Sequence, residues 1–150
     1  MSLQDQIMDA LKTAMKAKDS VALASLRAVK SAILLAQTES GAKEALTEDQ
    51  ELKILQKLVK QRKDSAALFL EQNREDLANP ELAQAEIIAQ FLPEQMSEED
   101  IKQVVMTLIS QTGASGMKDM GKVMGMASKQ LAGKADGKTI STIVKSLLNS

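Results

Sequence analysis

At 150 residues the chain has room for one domain or two small ones and can bury a core without covalent staples. It holds no cysteine and no histidine, which excludes disulfides, thiolate metal sites, the usual zinc and iron ligand sets, and cysteine- or histidine-based catalysis; no metal and no cofactor is expected. The net charge of −1 hides an asymmetry: residues 1–96 carry 12 Lys and Arg against 15 Asp and Glu, whereas residues 97–150 carry 7 lysines against 5 acids. The opening residues lack a basic leader, and no apolar run approaches the roughly 18 residues of a membrane span. The expectation is therefore a cytoplasmic protein with no membrane partner.

The periodicity is helical from end to end, which predicts an all-α fold. Leu3, Ile7, Leu11 and either Ala14 or Met15 form a first stripe behind the cap candidate Ser2. Asp19 can cap a second helix with Leu23, Leu26, Val29, Ile33 and Ala36 on one side, stopping near Gly41. Thr47 and Gln50 have capping-box spacing at the head of a long third helix striped by Leu52, Leu55, Val59, Ala66, Phe69 and Leu70. Arg62 falls on that stripe; its guanidinium either snorkels along the edge or is paired inside the helical domain. Asn79-Pro80 reads as the start of a fourth helix, with Leu82, Ala85, Ile88, Ala89 and Leu92 facing one way until Pro93.

Residues 93–96 read as a linker, because Ser97 followed by Glu98, Glu99 and Asp100 begins a new helix suited to the macrodipole. The boundaries are thus an N-terminal helical domain over residues 1–92 and a three-helix C-terminal domain over residues 97–150. Ile101, Val104, Val105, Leu108 and Ile109 form the next stripe, ending at Gly113. Met120, Val123, Met124, Ala127 and Leu131 form another, ending at Gly133, and Asp136 caps a last helix with Ile140, Ile143, Val144, Leu147 and Leu148. Helices this short are marginal alone and must pack on each other.

Residues 113–137 hold six of the seven glycines and four of the nine methionines. Gly121 and Gly125 stand four apart inside a helical run, so they share one face, and each costs the helix about 0.5–1 kcal/mol relative to alanine. A cost borne twice on one face suggests close approach, either by a neighbouring helix of the same domain or by an external backbone such as RNA. From Gly113 onward Lys118, Lys122, Lys129, Lys134, Lys138 and Lys145 face only Asp119 and Asp136, an excess that suits phosphates as well as solvent. A second basic ridge, Lys53, Lys57 and Lys60, follows helical spacing on the long helix, where Glu51 and Asp64 can balance it. With two phenylalanines as the only aromatics, stacking platforms for single strands are missing, so any RNA contact is to backbone and shape.

GASGMKDMGKVMG followed by GKADGKTISTIVKSLL resembles the C-terminal signature of the GatB/YqeY family. LRAVKSAI at residues 26–33, KQRKDSAALF at 60–69, NREDLA at 73–78 and FLPEQMSEED at 91–100 are similar to YqeY-like sequences, so the resemblance covers nearly the whole chain. It implies an all-α protein of long N-terminal helices joined to a small three-helix domain, like the tail of the B subunit of aspartyl/glutamyl-tRNA amidotransferase. It also implies a carbon–nitrogen ligase setting with glutamine as amido donor, in which the tail helps hold tRNA while the catalytic parts lie elsewhere. By that resemblance Lys118, Lys122, Lys129, Lys134 and Lys138 touch phosphates, with Gly121 and Gly125 allowing close approach.

No counterpart of a catalytic site stands beside these residues. A glutamine amidotransferase needs a nucleophile, and Ser31, Ser128 and Ser141 lie in apparent helices while Ser97 and Ser115 read as caps. Glu98, Glu99 and Asp100 sit in a solvated first turn, where burial does not raise a carboxyl for acid work. The main expectation is an accessory protein that binds tRNA or another structured RNA and has no active site of its own. The alternatives are a component of a glutamine-dependent tRNA amidotransferase acting with amidotransferase subunits or an aminoacyl-tRNA-related protein, and a helical protein-interaction module.

Overall fold

The computed structural model describes residues 2–39 and 46–149, and among them every regular element is helical. The chain divides into two compact units, Met1–Leu92 and Pro93–Ser150. The first contains α1 (Leu3–Ala17), α2 (Ser20–Glu39), α3 (Glu48–Glu71) and α4 (Glu75–Ala89). Ser2 and Asp5 close a capping box at the head of α1, and Thr47 and Gln50 close another at the head of α3, so side chains satisfy amides that the first turn leaves without partners. Asp19 accepts from the Ala22 amide at 3.0 Å, as a cap for α2 should. The expected stop of α2 near Gly41 lies outside the described residues.

Ile7, Leu11 and Ala14 of α1, Leu26, Val29 and Ile33 of α2, Leu55 and Val59 of α3, and Ala85 and Ile88 of α4 make one core. The open choice on α1 resolves to Ala14, since Met15 is exposed. Arg62 is half-buried, with Nε donating to Gln84 Oε1 of α4 at 3.1 Å and a terminal nitrogen donating to the Leu58 carbonyl at 3.2 Å. The guanidinium is thus bonded inside the unit, to neutral acceptors.

The fourth helix begins a turn and a half earlier than Asn79-Pro80 predicts. α3 ends in a reversed turn with Asn73 at φ 58°, the Arg74 amide bonding back to the Phe69 carbonyl and the Asn73 amide to that of Leu70. The chain then re-enters a helix at once. Arg74 and Asp76 form a two-pronged ion pair at 3.0 Å, holding the Asp76 carboxyl below its ordinary range, and Glu75 and Asp76 sit where the macrodipole favours acids. Pro80 therefore falls inside α4 and removes one backbone hydrogen bond, which the packing of Ala78, Ala85 and Ile88 outweighs. Leu70 and Leu82, expected on core stripes, are exposed for related reasons, one at a helix end and one on the outer side of α4.

α2 also differs from expectation. Averaged over 18 residues its mean hydropathy is 1.3, so by length and composition it is long and apolar enough to cross a membrane, although Arg27 and Lys30 break the run read residue by residue. Only 22% of that window is buried.

The second unit contains α5 (Glu98–Thr112), a single 3-10 turn (Met117–Asp119), α6 (Met120–Gln130) and α7 (Gly137–Leu148). Its core joins Ile101, Val105 and Leu108 with Val123, Ala127 and Leu131, and with Ile140, Val144 and Leu148. Gly113 ends α5 at φ 67°, a conformation that a Cβ would strain. Asp136 occupies the residue before α7 with cap-like φ and ψ, yet its side chain makes no capping hydrogen bond. α6 stops at Gln130, short of Gly133.

Residues 93–96 are tied to this second unit. Gln95 Nε2 donates to the Gly133 carbonyl at 2.7 Å and to the Pro93 carbonyl at 3.0 Å, the Met96 amide donates to the Lys134 carbonyl at 2.9 Å, and Met96 packs on the core. The polar composition that reads as linker is spent on a loop 38 residues away in sequence.

Candidate nucleic-acid interface

α6 is eleven residues long, and its sequence decides which side faces out. Val123 and Ala127 are buried, with Met120 and Met124 half-buried beside them. At 100° per residue the opposite side is made of Gly121, Gly125, Lys122 and Lys129, all exposed. A Cβ placed on Gly121 or on Gly125 would meet nothing within 4 Å. Of the two readings of the glycine pair, close packing by a helix of the same unit is thereby overturned. The strip of bare backbone opens on solvent.

Lysines frame it. Lys122 and Lys129 stand about 10 Å apart along the axis, seven residues at 1.5 Å each, with Gly125 between them. Lys118 sits in the 3-10 turn before α6, four residues ahead of Lys122. Asp119, next to it, accepts from the Ser115 amide at 2.8 Å, so that carboxylate is engaged in holding the turn. Met117 and Met126 are exposed at 42% and 38%, unlike their half-buried relatives at 120 and 124.

The remaining candidates lie on other elements. Lys134 is exposed in the turn after α6, where its carbonyl holds the Met96 amide. Lys138 is exposed in the first turn of α7. A cation there gains nothing from the helix, since the macrodipole already places positive potential at that end. Lys53, Lys57 and Lys60 are exposed on α3 in the other unit, and Lys60 is bound to Asp64 at 2.8 Å, so this ridge is partly neutralised as its spacing allowed. The structure thus brings Gly121, Gly125, Lys122 and Lys129 onto one face of one helix and places Lys134 and Lys138 on separate segments of the same unit.

A cleft in the first unit was not legible in the sequence. Ser2, Leu3, Glu48, Glu51, Leu55 and Phe91 line it, a space of about 350 Å³ where burial first and the Glu48 charge second push the Glu51 carboxyl up. Its only sequence signal is a pair of acids in a first turn, Glu48 and Glu51, of which Glu51 reads in sequence as a balance for the neighbouring lysines. Among the described residues no group of His, Asp or Glu has the arrangement to hold a metal ion.

A small all-helical protein with a lysine-framed, glycine-bared helix face is the class these features define. The chain belongs to the YqeY-like family, whose model matches residues 4–148. It is 36% identical over 107 residues to altered inheritance of mitochondria protein 41, mitochondrial, of Clavispora lusitaniae, covering 70% of this chain and 61% of that one. It is 33% identical over 81 residues to the E subunit of glutamyl-tRNA(Gln) amidotransferase from Thermococcus gammatolerans, covering 51% of this chain and 13% of that one. The chain thus spans about three fifths of the first relative and about an eighth of the second.

Proposed function

We propose that this protein is an accessory factor without an active site of its own, binding tRNA or another structured RNA through the outward face of α6. The observation that carries the reading is the open space over Gly121 and Gly125. Two exposed glycines cost a helix about 1–2 kcal/mol, and nothing in their own unit offsets it. A backbone that must come close to another backbone explains the expense, and Lys122 and Lys129 supply charge for phosphates on either side. Lys118, Lys134 and Lys138 extend the cationic surface at its margins. The scarcity of aromatic side chains favours a duplex or folded RNA, recognised by shape and sugar-phosphate contacts, over a single strand. Similarity to a component of glutamyl-tRNA(Gln) amidotransferase points to the same class of ligand.

The test is a salt series of tRNA titrations. With both lysines on phosphates, the Lys122→Gln, Lys129→Gln double variant loses about 1.4–1.8 from the log–log salt slope, at roughly 0.7–0.9 per contact. Its melting is unchanged, because exposed lysines contribute little to stability. Wild-type protein that shows no tRNA binding at low salt refutes the proposal.

A second reading rests on the same relative: a component of a glutamine-dependent amidotransferase that acts only with partner subunits. Purified alone, the chain hydrolyses no glutamine under either reading, since it lacks cysteine, histidine and a serine–lysine site. Affinity purification from lysate separates them: bound tRNA favours the first, bound amidotransferase subunits the second.

A further inference from the structure

α2 carries more apolar surface than its own unit covers. Away from the buried Leu26, Val29 and Ile33, Leu34 on the α1 flank and Leu35 on the α3 flank stand exposed at 53% and 60%. A groove of about 150 Å³ against α1 flanks them on one side, reaching Met8, and one of about 300 Å³ against α3 on the other, reaching Ile54. Ala24 and Ser31, exposed on the same side, are small enough for another helix to come near. The charges are sorted along the helix: Arg27 and Lys30 precede the leucines, and Glu39 follows them.

We propose that this face docks a second copy of the same chain, α2 lying antiparallel on α2 about a two-fold axis near the leucine pair. Isologous contact demands a surface that complements itself, so that residue i meets j while j meets i. A face with cations at one end, leucines within and an acid at the other has that property only when antiparallel. Glu39 then lies toward the partner's Arg27, and Arg27 toward the partner's Glu39, with four leucines between the two ion pairs. A parallel arrangement sets like charge on like. The span from Arg27 to Glu39 is about 18 Å at 1.5 Å per residue, which leaves room for the leucines to interleave inside the charged ends. A lipid surface, the other occupant such an apolar helix invites, matches Arg27 and Lys30 but has to accommodate Glu39 on the same side.

The test uses the full chain without RNA, in sedimentation and light scattering over a range of concentrations. The expected result is a mass that rises from one copy to two. Leu35→Glu leaves a monomer at every concentration with an unchanged helical circular dichroism signal, because the side chain is already exposed. Arg27→Glu and Glu39→Arg each raise the dissociation constant roughly tenfold, and the double exchange restores it. Three results overturn the proposal: a wild-type monomer up to about 1 mM, the weak end of specific association; a dimer indifferent to Leu35→Glu; or a monomer that sediments with neutral or anionic phospholipid vesicles and loses that property in Leu35→Glu.

Discussion

Replacing the α6 glycines by alanine separates the cost of bare backbone from its use. Gly125 is the sixth of eleven residues in α6 and lies in its interior, so alanine gains about 1 kcal/mol of helix propensity there. Gly121 is the second residue, where the first turn is only partly bound by intrahelical hydrogen bonds, and the gain is about 0.5 kcal/mol. Neither Cβ meets an atom within 4 Å, so no steric charge is set against these gains. The double variant is expected to stabilise the C-terminal unit by about 1.5 kcal/mol, raising its transition by roughly 6–12 °C at the 4–8 °C per kcal/mol of a domain this size. Thermal melts and urea titrations followed by circular dichroism give the stability arm, and tRNA titration at fixed salt gives the binding arm. Stability rises and affinity falls if the strip admits an RNA backbone. Destabilisation would refute the open-face geometry, and stabilisation with unaltered affinity would separate the glycines from RNA.

Three more predictions address the scaffold. Lys18 closes α1 in the left-handed region at φ 53°, so Lys18→Gly should raise the urea midpoint by an amount equivalent to about 0.5–1 kcal/mol; a lower midpoint would mean the lysine side chain supports the turn. A fragment of residues 93–150 should melt cooperatively and at higher temperature than one of residues 97–150, which forfeits the Gln95 and Met96 hydrogen bonds at about 0.5–1.5 kcal/mol each; equal melting would show that these bonds contribute nothing net. Because burial and Glu48 raise the folded-state affinity of Glu51 for its proton, the folded chain binds more protons there than the unfolded one, and this group's contribution falls as pH rises through its raised value. Glu51→Gln should therefore flatten stability against pH in mildly acidic solution and match or exceed wild type at neutral pH, and a variant less stable at neutral pH would reverse that sign.

The helices and their buried sides were legible because apolar residues recur at three-four spacing around capped starts. Ile7, Leu11, Leu26, Val29 and Ile33 in one unit, and Ile101, Val105, Leu108, Ile140 and Val144 in the other, are buried where the stripes place them. Pro80 misled because its own preference for a first turn is local, whereas the Arg74–Asp76 pair and the packing against α3 act from further away. Residues 93–96 misled because a polar side chain that bonds a distant carbonyl looks, in sequence, like one that bonds water. The glycine pair was visible as a candidate, but which way it faced was settled by Val123 and Ala127 being buried on the opposite side. Leu34 and Leu35 escaped notice because they lie off the core stripe, and an adjacent pair off the stripe was the available signal.

The four methionines around α6 make this part of the chain its own reporter. Met117 and Met126 meet solvent while Met120 and Met124 are half-buried against the core, and thioether oxidation follows access. A brief peroxide pulse read by mass spectrometry therefore writes the state of this surface chiefly into two sulfur atoms, with the two half-buried ones as slower-reacting references. Whatever covers the α6 face in the cell would leave its outline as unoxidised sulfur, with no label attached and no residue changed.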